Sequence, residues 1–214
     1  MMKILAIETT GPNCSVAIID ENGKVQKLRS EDRLNHLTSL TPMVDQLLKD
    51  QGITLRDVDA VAASIGPGSF TGIRIGVTTA RAFCQAMNIP AIAVPSLPSF
   101  CYSMKDYTGI IAPNIDARRS QVYGGAHRWE DGELKEVVKG APYMADEFRG
   151  LVEVANAEGL EITYLEDGTQ DASFIAEMAL EMYKRGETVQ YGELRPDYMR
   201  LAEAERKLME QQKK

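Results

Sequence analysis

The fold is decided by the stretch Asp59-Ala-Val-Ala-Ala-Ser-Ile-Gly66-Pro-Gly68-Ser-Phe-Thr-Gly72-Ile-Arg-Ile-Gly76. An apolar run leads into a loop with Gly and Pro, a helix-compatible segment continues to Met87, and a second apolar run, Ala91-Ile-Ala-Val94, follows. This order predicts a strand–loop–helix–strand unit, which is typical of an α/β protein with parallel strands.

The loop at the centre of this unit leaves two interpretations open. Gly66 and Gly68 permit backbone conformations that a Cβ atom would forbid, and Ser69 is suited to cap the following helix. The unpaired N–H groups at a helix N-terminus favour anions, so the loop is compatible with a phosphate site. The same residues also build ordinary tight turns between a strand and a helix, which is the commoner case.

Composition limits the function and the compartment. The 214 residues are enough for one domain or two small ones, and 44% of them are hydrophobic. The formal net charge of −7 argues against a protein that grips nucleic acid through a broad basic face. Three cysteines without Cys-x-x-Cys spacing, no signal peptide and no membrane-length apolar run predict a cytoplasmic protein with free thiols.

Two similar strand patterns indicate an internal duplication. The chain opens with apolar runs separated by turn residues, and Asn22-Gly23 is a hairpin signal. The pattern returns downstream, where Asp131-Gly132 takes the part of the second turn. Glu8 and Asp116 each end the first strand of a copy. We interpret this as a duplicated strand meander; a coincidence between two unrelated meanders is the alternative.

Two helices are predicted between the copies. An apolar stripe at helical spacing indicates the first, and Pro42 either begins this helix or kinks it. The second helix has one apolar stripe and a second one that contains Gly72 and Gly76. Because glycine lets another element approach closely, the second stripe predicts close packing either inside the monomer or against another subunit. The residues of the first stripe are Leu34, Leu37, Leu40, Val44, Leu47 and Leu48.

Catalytic equipment is sparse. Glu8, Thr9 and Thr10 follow the first strand, where a carboxylate and hydroxyls are able to position a metal–phosphate group, although an acid in a hairpin turn is commoner. Asp116 is the matching position in the second copy. His36 and His127 stand far apart, so we expect no metal site, and we find no convincing nucleophile–base pair.

Four segments resemble the TsaB family, bacterial accessory proteins of tRNA threonylcarbamoyladenosine synthesis. They are Ile4-Leu-Ala-Ile-Glu-Thr-Thr, Gly66–Gly76, Ile115-Asp-Ala-Arg118 and Arg195-Pro-Asp-Tyr198. The resemblance implies a duplicated actin-like, ribonuclease-H-like α/β fold with a mixed sheet in each subdomain. The expected subdomains are residues 1–104, with the partner-binding helices, and 105–214, with a C-terminal helix that packs back on the first.

The resemblance also implies partners. TsaB proteins pair with a catalytic paralogue, TsaD, an ATPase called TsaE joins them, and family members form homodimers. We therefore expect a non-catalytic scaffold that contacts tRNA indirectly and binds no membrane. The family's subunit contact uses two helices, which here are Leu34–Gln51 and Gly72–Met87. The interface residues predicted on them are Leu37, Leu40, Val44, Leu47, Gly72, Ile73, Gly76 and Phe83.

Departures from the catalytic paralogue argue against an enzyme. That relative carries a metal-binding pair of histidines where Ser96 and Phe100 stand here, and neither side chain replaces an imidazole. We expect no cofactor, with a nucleotide contact of Glu8, Thr9, Thr10 or Asp116 only within the complex. The alternative function is a glycoprotease-like metallopeptidase or weak ATP hydrolase in the cleft between the two copies.

Overall fold

A computed structural model describes residues 1–33 and 36–199. The first half of the chain contains, in order, β1 (Lys3–Glu8), β2 (Asn13–Asp20), β3 (Val25–Arg33), α1 (His36–Asp50), β4 (Ala60–Gly66), α2 (Phe70–Met87), β5 (Ala91–Pro95) and α3 (Ser96–Phe100). The second half contains β6 (Ile110–Asp116), β7 (Gln121–Glu130), β8 (Glu133–Met144), α4 (Ala145–Ala155), β9 (Ile162–Leu165) and α5 (Ala172–Lys184). Short 3-10 helices span Leu55–Asp57 and Cys101–Met104.

Two mixed sheets share one topology. The first has the order β3-β2-β1-β4-β5, in which β1 pairs antiparallel with β2 and parallel with β4. The second has the order β8-β7-β6-β9, in which β6 pairs antiparallel with β7 and parallel with β9. In each copy a three-strand meander is followed by a helix and a parallel strand. The predicted duplication is therefore confirmed, and a coincidence of two meanders does not explain a shared strand order.

The turns between meander strands follow the sequence signals. Gly23 has a φ of +83°, and its N–H donates to the carbonyl of Asp20, 3.0 Å away. Asp131 and Gly132 both have positive φ, 50° and 79°, as a two-residue turn between twisted strands requires.

The first sheet is covered on both faces. Successive side chains of a strand point to opposite faces, so β1 sends Leu5 and Ile7 towards α1 and α2, while Ile4 and Ala6 meet α5. Helix α5 belongs to the second half of the sequence and packs on the first sheet, chiefly through alanines. The second sheet has a smaller core beneath α4, around Phe148.

The structure excludes one of the two alternatives predicted for Pro42 in α1. It begins by His36, and Pro42 lies inside it, so Pro42 is not the first residue of the helix. His36 and Leu40 are buried before the proline and Val44 and Leu47 after it. Burial of the apolar stripe on both sides of Pro42 outweighs the loss of one backbone hydrogen bond at the proline. A sequence pattern alone does not compare these two contributions to helix stability.

Three sequence expectations fall partly or wholly outside the described residues. They concern Leu34, residue 201 at the end of the resemblance, and the charged tail 202–214. The subdomain boundary between residues 104 and 105 stays a prediction. Within residues 1–33 and 36–199, no helix is both long enough and apolar enough to cross a membrane.

Candidate functional site

The carboxyl ends of β1, β4 and β5 meet at the loop that begins with Gly66. Ser69 caps α2 as predicted, because its Oγ accepts from the N–H of Gly72. The N–H of Ser69 donates to the carbonyl of Thr10, 2.8 Å away. Gly68 has a φ of +154°, and a Cβ atom there would lie 2.7 Å from the Thr10 carbonyl oxygen. The loop therefore packs on the β1–β2 hairpin, whose residues occupy the space beside the helix N-terminus.

Helix α2 approaches the same hairpin through its two glycines. A Cβ atom at Gly72 would lie 1.9 Å from the Thr9 carbonyl oxygen, and one at Gly76 would lie 2.4 Å from Thr9 Oγ1. The Thr9 hydroxyl donates to the Gly72 carbonyl over 2.7 Å. Of the two kinds of close packing that the sequence left open for these glycines, the one inside the monomer is the one observed.

Most of the predicted interface residues on α1 and α2 are buried inside the monomer. Leu40, Val44, Leu47 and Ile73 are at most 3% exposed and belong to the core between the helices and the first sheet. With Gly72 and Gly76 they pack within the monomer, so direct contact of these six residues with another subunit does not fit this conformation. The two remaining candidates differ from them: Leu37 is 76% exposed, and Phe83 is half-buried.

Glu8 is a fully buried carboxyl group. Its Oε1 accepts hydrogen bonds from the backbone N–H and the hydroxyl of Thr10, whereas Oε2 is without a partner among the described residues. Burial raises the pKa of Glu8, and the hydrogen bonds from Thr10 and the influence of the Ser64 hydroxyl act in the opposite direction without offsetting it. Burial therefore makes this carboxyl harder to ionise than an exposed one, and its Oε1 is already engaged by Thr10.

Ser96 and Phe100, for which the family resemblance predicts the replacement of a histidine pair, are both core residues. Ser96 is completely buried, and its Oγ lies 2.7 Å from the Oγ of Ser64. Its carbonyl accepts from the Ser99 hydroxyl, also over 2.7 Å. The Phe100 ring is part of a core cluster with Leu97. A buried hydroxyl pair and an aromatic ring thus stand at these two positions.

Gln170 has contacts near both predicted acidic positions, Glu8 and Asp116. A Cβ atom at Gly11 would lie 2.8 Å from Cδ of Gln170, and Gln170 is 2% exposed. The Gln170 amide donates to Asp167 Oδ1 over 3.0 Å, and Asp167 Oδ2 accepts from the N–H of Asp116 over 3.2 Å. Glu8 and Thr9 are inside the protein, while Asp116 is on the surface. No sequence signal pointed to Gln170, since its contacts with the hairpin depend on tertiary packing.

The remaining titratable candidates are structural. His36 Nε2 lies 3.0 Å from the Gly11 carbonyl oxygen. Burial lowers the pKa of His127 to about 4. Burial, followed by the nearby carboxyl of Glu8, raises the pKa of the Cys14 thiol to about 12, so this cysteine is an inert thiol at neutral pH. Among residues 1–33 and 36–199, no three His, Cys, Asp or Glu side chains come together in a way that holds a metal ion.

One exposed cluster at the start of α2 was not predicted. The guanidinium of Arg74 lies 3.9 Å from the centroid of the Phe70 ring, and its Nε donates to the Tyr198 hydroxyl over 3.0 Å. The Phe70 and Tyr198 rings are 4.9 Å apart. The N–H of Asp197 also donates to the carbonyl of Ile65 over 2.8 Å. These contacts hold the Arg195–Tyr198 segment against the start of α2 and the loop before it. Arg74 and Tyr198 are 124 positions apart in the sequence.

Comparisons with known proteins agree with this architecture. A family model described as "TsaD: tRNA N6-adenosine threonylcarbamoyltransferase" matches residues 31–193. The "tRNA threonylcarbamoyladenosine biosynthesis protein TsaB" of Bacillus subtilis is 32% identical over 229 aligned residues, which cover 99% of this chain and 100% of that protein. The protein of the same name from Escherichia coli is 29% identical, with 97% and 98% covered.

A solved structure confirms the fold. YeaZ from Pseudomonas aeruginosa is 27% identical and superposes with a TM-score of 0.79, over 92% of this chain and 100% of that one. With the two sheets described above, this neighbour confirms the predicted duplicated actin-like, ribonuclease-H-like α/β fold. Because a relative that is 32% identical is matched over its full length, the chain belongs to the TsaB family.

Proposed function

We propose that the chain is a non-catalytic subunit of a system that makes threonylcarbamoyladenosine in tRNA, and that it binds and activates a TsaD-like catalytic paralogue. The relatives named TsaB are matched over nearly their full lengths, so the assignment rests on whole-chain similarity. A TsaE-like ATPase would be the third protein of the system. Any nucleotide would be held by the assembled complex, because Glu8, Thr9 and Thr10 are buried in this chain.

The packing of Ser96 and Phe100 carries the non-catalytic part of the proposal. A metal-dependent transferase needs ligands with lone pairs directed at an accessible ion. Here Ser96 pairs with Ser64, and Phe100 is completely buried. A histidine at either position would have to displace buried neighbours. These residues therefore support a non-catalytic role, in which the TsaD-like paralogue carries out the transfer.

The proposed contact uses the exposed faces of α1 and α2. Leu37 is an exposed apolar residue on α1. Helix α2 contains no Asp or Glu in its 18 residues, and its exposed edge includes Arg74, Thr78 and Arg81. Arg81 has no ion-pair partner among the residues that the structure describes. A partner surface with an apolar patch and carboxylates would complement this face.

Self-association would use the same face and compete with the partner. Two copies would bring like charges on α2 together, and like charges are unfavourable at close range. We therefore expect the homodimer to be weaker than the complex with an acidic partner surface. Sedimentation at several concentrations, with and without the paralogue, separates the two states.

New carboxylates on the exposed faces of α1 and α2 test this interface. Arg81→Glu and Leu37→Asp should each weaken binding of the TsaD-like paralogue by at least about tenfold, since each places a carboxylate on the contact face. Calorimetric titration measures the affinity. Lys184→Glu is the matched control, because Lys184 is exposed at the end of α5, on the other face of the first sheet. Unchanged affinity in both the Arg81→Glu and the Leu37→Asp variant, with the fold intact, would contradict the interface.

A further inference from the structure

We propose that the tip of the β6–β7 hairpin, residues Arg118, Arg119 and Ser120, binds the phosphates of an RNA backbone. The inference rests on the proposed function, in which the substrate of the assembled system is a tRNA, and it adds a direct contact from this chain. A sequence with a net charge of −7 predicts at most an indirect role, so the contact has to be local.

The tip has an unusual backbone. Arg118, Arg119 and Ser120 have φ values of 64°, 55° and 59°, which place three consecutive residues with side chains in the left-handed region. L-residues rarely adopt this region even singly, and Asn, Asp and Gly are the usual exceptions. None of the three is of those types. A conformation of this kind persists only where its surroundings determine it, and it is found most often at binding sites.

Hydrogen bonds on both sides hold the tip in place. The N–H of Arg118 donates to Asp116 Oδ1 over 2.7 Å, and the N–H of Gln121 donates to the Arg118 carbonyl over 3.1 Å. The carbonyl of Ser120 accepts from the N–H of Ala145, 2.9 Å away at the start of α4. The tip is therefore tied to its own hairpin and to a helix, and it presents its side chains in a defined place.

The tip presents unused cationic and N–H groups. Arg118 and Arg119 are exposed, and in the described part of the chain neither has a carboxylate within ion-pair distance. The N–H groups of Arg119 and Ser120 likewise have no acceptor in residues 1–33 and 36–199. The acids beside the tip already accept hydrogen bonds: Asp116 accepts from the N–H of Arg118, and Asp167 accepts from the N–H of Asp116 and from Gln170.

Comparison of the two copies shows that packing does not explain the tip. In the first copy the equivalent hairpin is buried, and Thr9 and Thr10 contact α2 and the loop before it. In the second copy the corresponding helix, α5, covers the first sheet instead, and the hairpin tip is exposed. Hydrophobic packing among the described residues therefore does not explain the left-handed backbone of the tip.

Phosphate is the ligand that best fits these groups. Two adjacent guanidinium groups offer planar forks of N–H donors, which match phosphate oxygens, and the Ser120 hydroxyl and two backbone N–H groups add donors beside them. An RNA backbone supplies phosphates in series, so two arginines are able to engage neighbouring ones. An acidic protein surface is the competing occupant, and the experiment separates it from RNA.

The test compares two double variants of the full chain in the reconstituted system, with an unmodified tRNA transcript as the probe. Arg118→Ala with Arg119→Ala removes the tip charges. Lys24→Ala with Lys184→Ala removes two exposed positive charges at the opposite end of the first sheet. Affinity for tRNA is measured by filter binding over a range of salt concentrations, and thermal unfolding confirms that each variant is folded.

We expect the arginine variant to lower tRNA affinity about tenfold at low salt. The slope of log affinity against log salt should fall by roughly one for each arginine that contacts a phosphate, and the lysine control should keep the parent slope. Arg118→Lys with Arg119→Lys keeps the charges without the forks and should recover the slope but not the full affinity.

Two results would overturn the inference. One is an arginine variant with the same salt slope as the lysine control. The other is a loss of affinity for the protein partner with tRNA binding unchanged, which would assign the tip to an acidic protein. In either case a modification reaction that still depends on this chain would leave the proposed function standing. A reaction indifferent to omission of the chain would instead overturn the proposed function itself.

Discussion

At the scale of single residues, Glu8 couples stability to pH. Its pKa in the folded protein is raised above the ordinary value of 4.5. Above pH 4.5 the unfolded chain releases the proton of this carboxyl while the folded chain retains it, so the free energy of unfolding falls as pH rises towards the folded pKa. Glu8 therefore makes the protein less stable at neutral pH than it would be with a neutral side chain.

Glu8→Gln tests this reasoning. Glutamine keeps an oxygen for the two hydrogen bonds from Thr10 and carries no proton to lose. We expect a higher free energy of unfolding at pH 7 than in the parent and a flatter dependence on pH between about 4.5 and 7. Urea unfolding at several pH values measures both. A variant with the parent's slope over this range would mean that the buried carboxyl is already ionised.

Asp171→Asn should change the free energy of unfolding at pH 7 in the opposite direction to Glu8→Gln. Burial pushes the pKa of Asp171 upward, but hydrogen bonds from Ser173 and Lys27 outweigh it and leave the pKa below its ordinary value of 3.8. Asp171 therefore contributes stability that is present above pH 3.8 and is lost as the solution is acidified through the folded pKa. The asparagine variant should lose stability at pH 7 and resemble the parent at low pH in the same urea series.

Gly72→Ala should destabilise the protein. The added Cβ atom would lie 1.9 Å from a backbone oxygen of Thr9, which no side-chain rotation relieves. We expect a cost of roughly 1–3 kcal/mol or more. Gly150→Ala in α4 is the control: nothing lies within 4 Å of its added Cβ, and alanine should stabilise that helix by roughly 0.5–1 kcal/mol. Equal stability of the two variants would refute the packing argument.

At the scale of elements, local sequence signals predicted the turns and caps whose conformation depends on residues adjacent in the chain. The turns at Asn22-Gly23 and Asp131-Gly132 and the Ser69 cap were predicted because backbone conformation decides them. The sequence left two alternatives for the start of α1, because the burial of Leu40 before Pro42 and of Val44 after it, which keeps the proline inside the helix, depends on the fold. The contact between α5 and the first sheet left no signal in the local sequence pattern, since Ala172–Lys184 is far along the chain from a sheet that ends at Pro95. Only the family resemblance implied a C-terminal helix that packs back on the first subdomain.

A substitution in α5 tests how closely this helix packs on the first sheet. Ala176 is completely buried in a cluster with Ala6, Ala17, Ala60 and Ala62, so small side chains set the distance between helix and sheet. Ala176→Leu should cost roughly 1–3 kcal/mol because it forces the layers apart. Ala86→Leu, at an exposed position of α2, should change stability by less than about 0.5 kcal/mol. Thermal unfolding compares the two, and a tolerated Ala176→Leu would indicate a loosely packed helix.

At the scale of the whole molecule, an apolar stripe in a sequence does not show what covers it. Leu40, Val44 and Leu47 were predicted to meet another subunit and instead meet the first sheet of their own chain. Both kinds of burial demand the same spacing of apolar residues, so periodicity cannot separate them. The same holds for Glu8 and Asp116: both acids were visible in the sequence, whereas the contacts of Gln170 with Gly11 and Asp167 are a property of the folded chain.

The central claim is that this chain is required for a reaction that it does not catalyse. The most direct measurement is threonylcarbamoylation of tRNA in a system reconstituted with the TsaD-like paralogue and the TsaE-like ATPase, with this chain present, omitted or alone. The account predicts that modification collapses when the chain is omitted and that the chain alone modifies nothing. Full modification without the chain, or transfer by the chain alone, would contradict it.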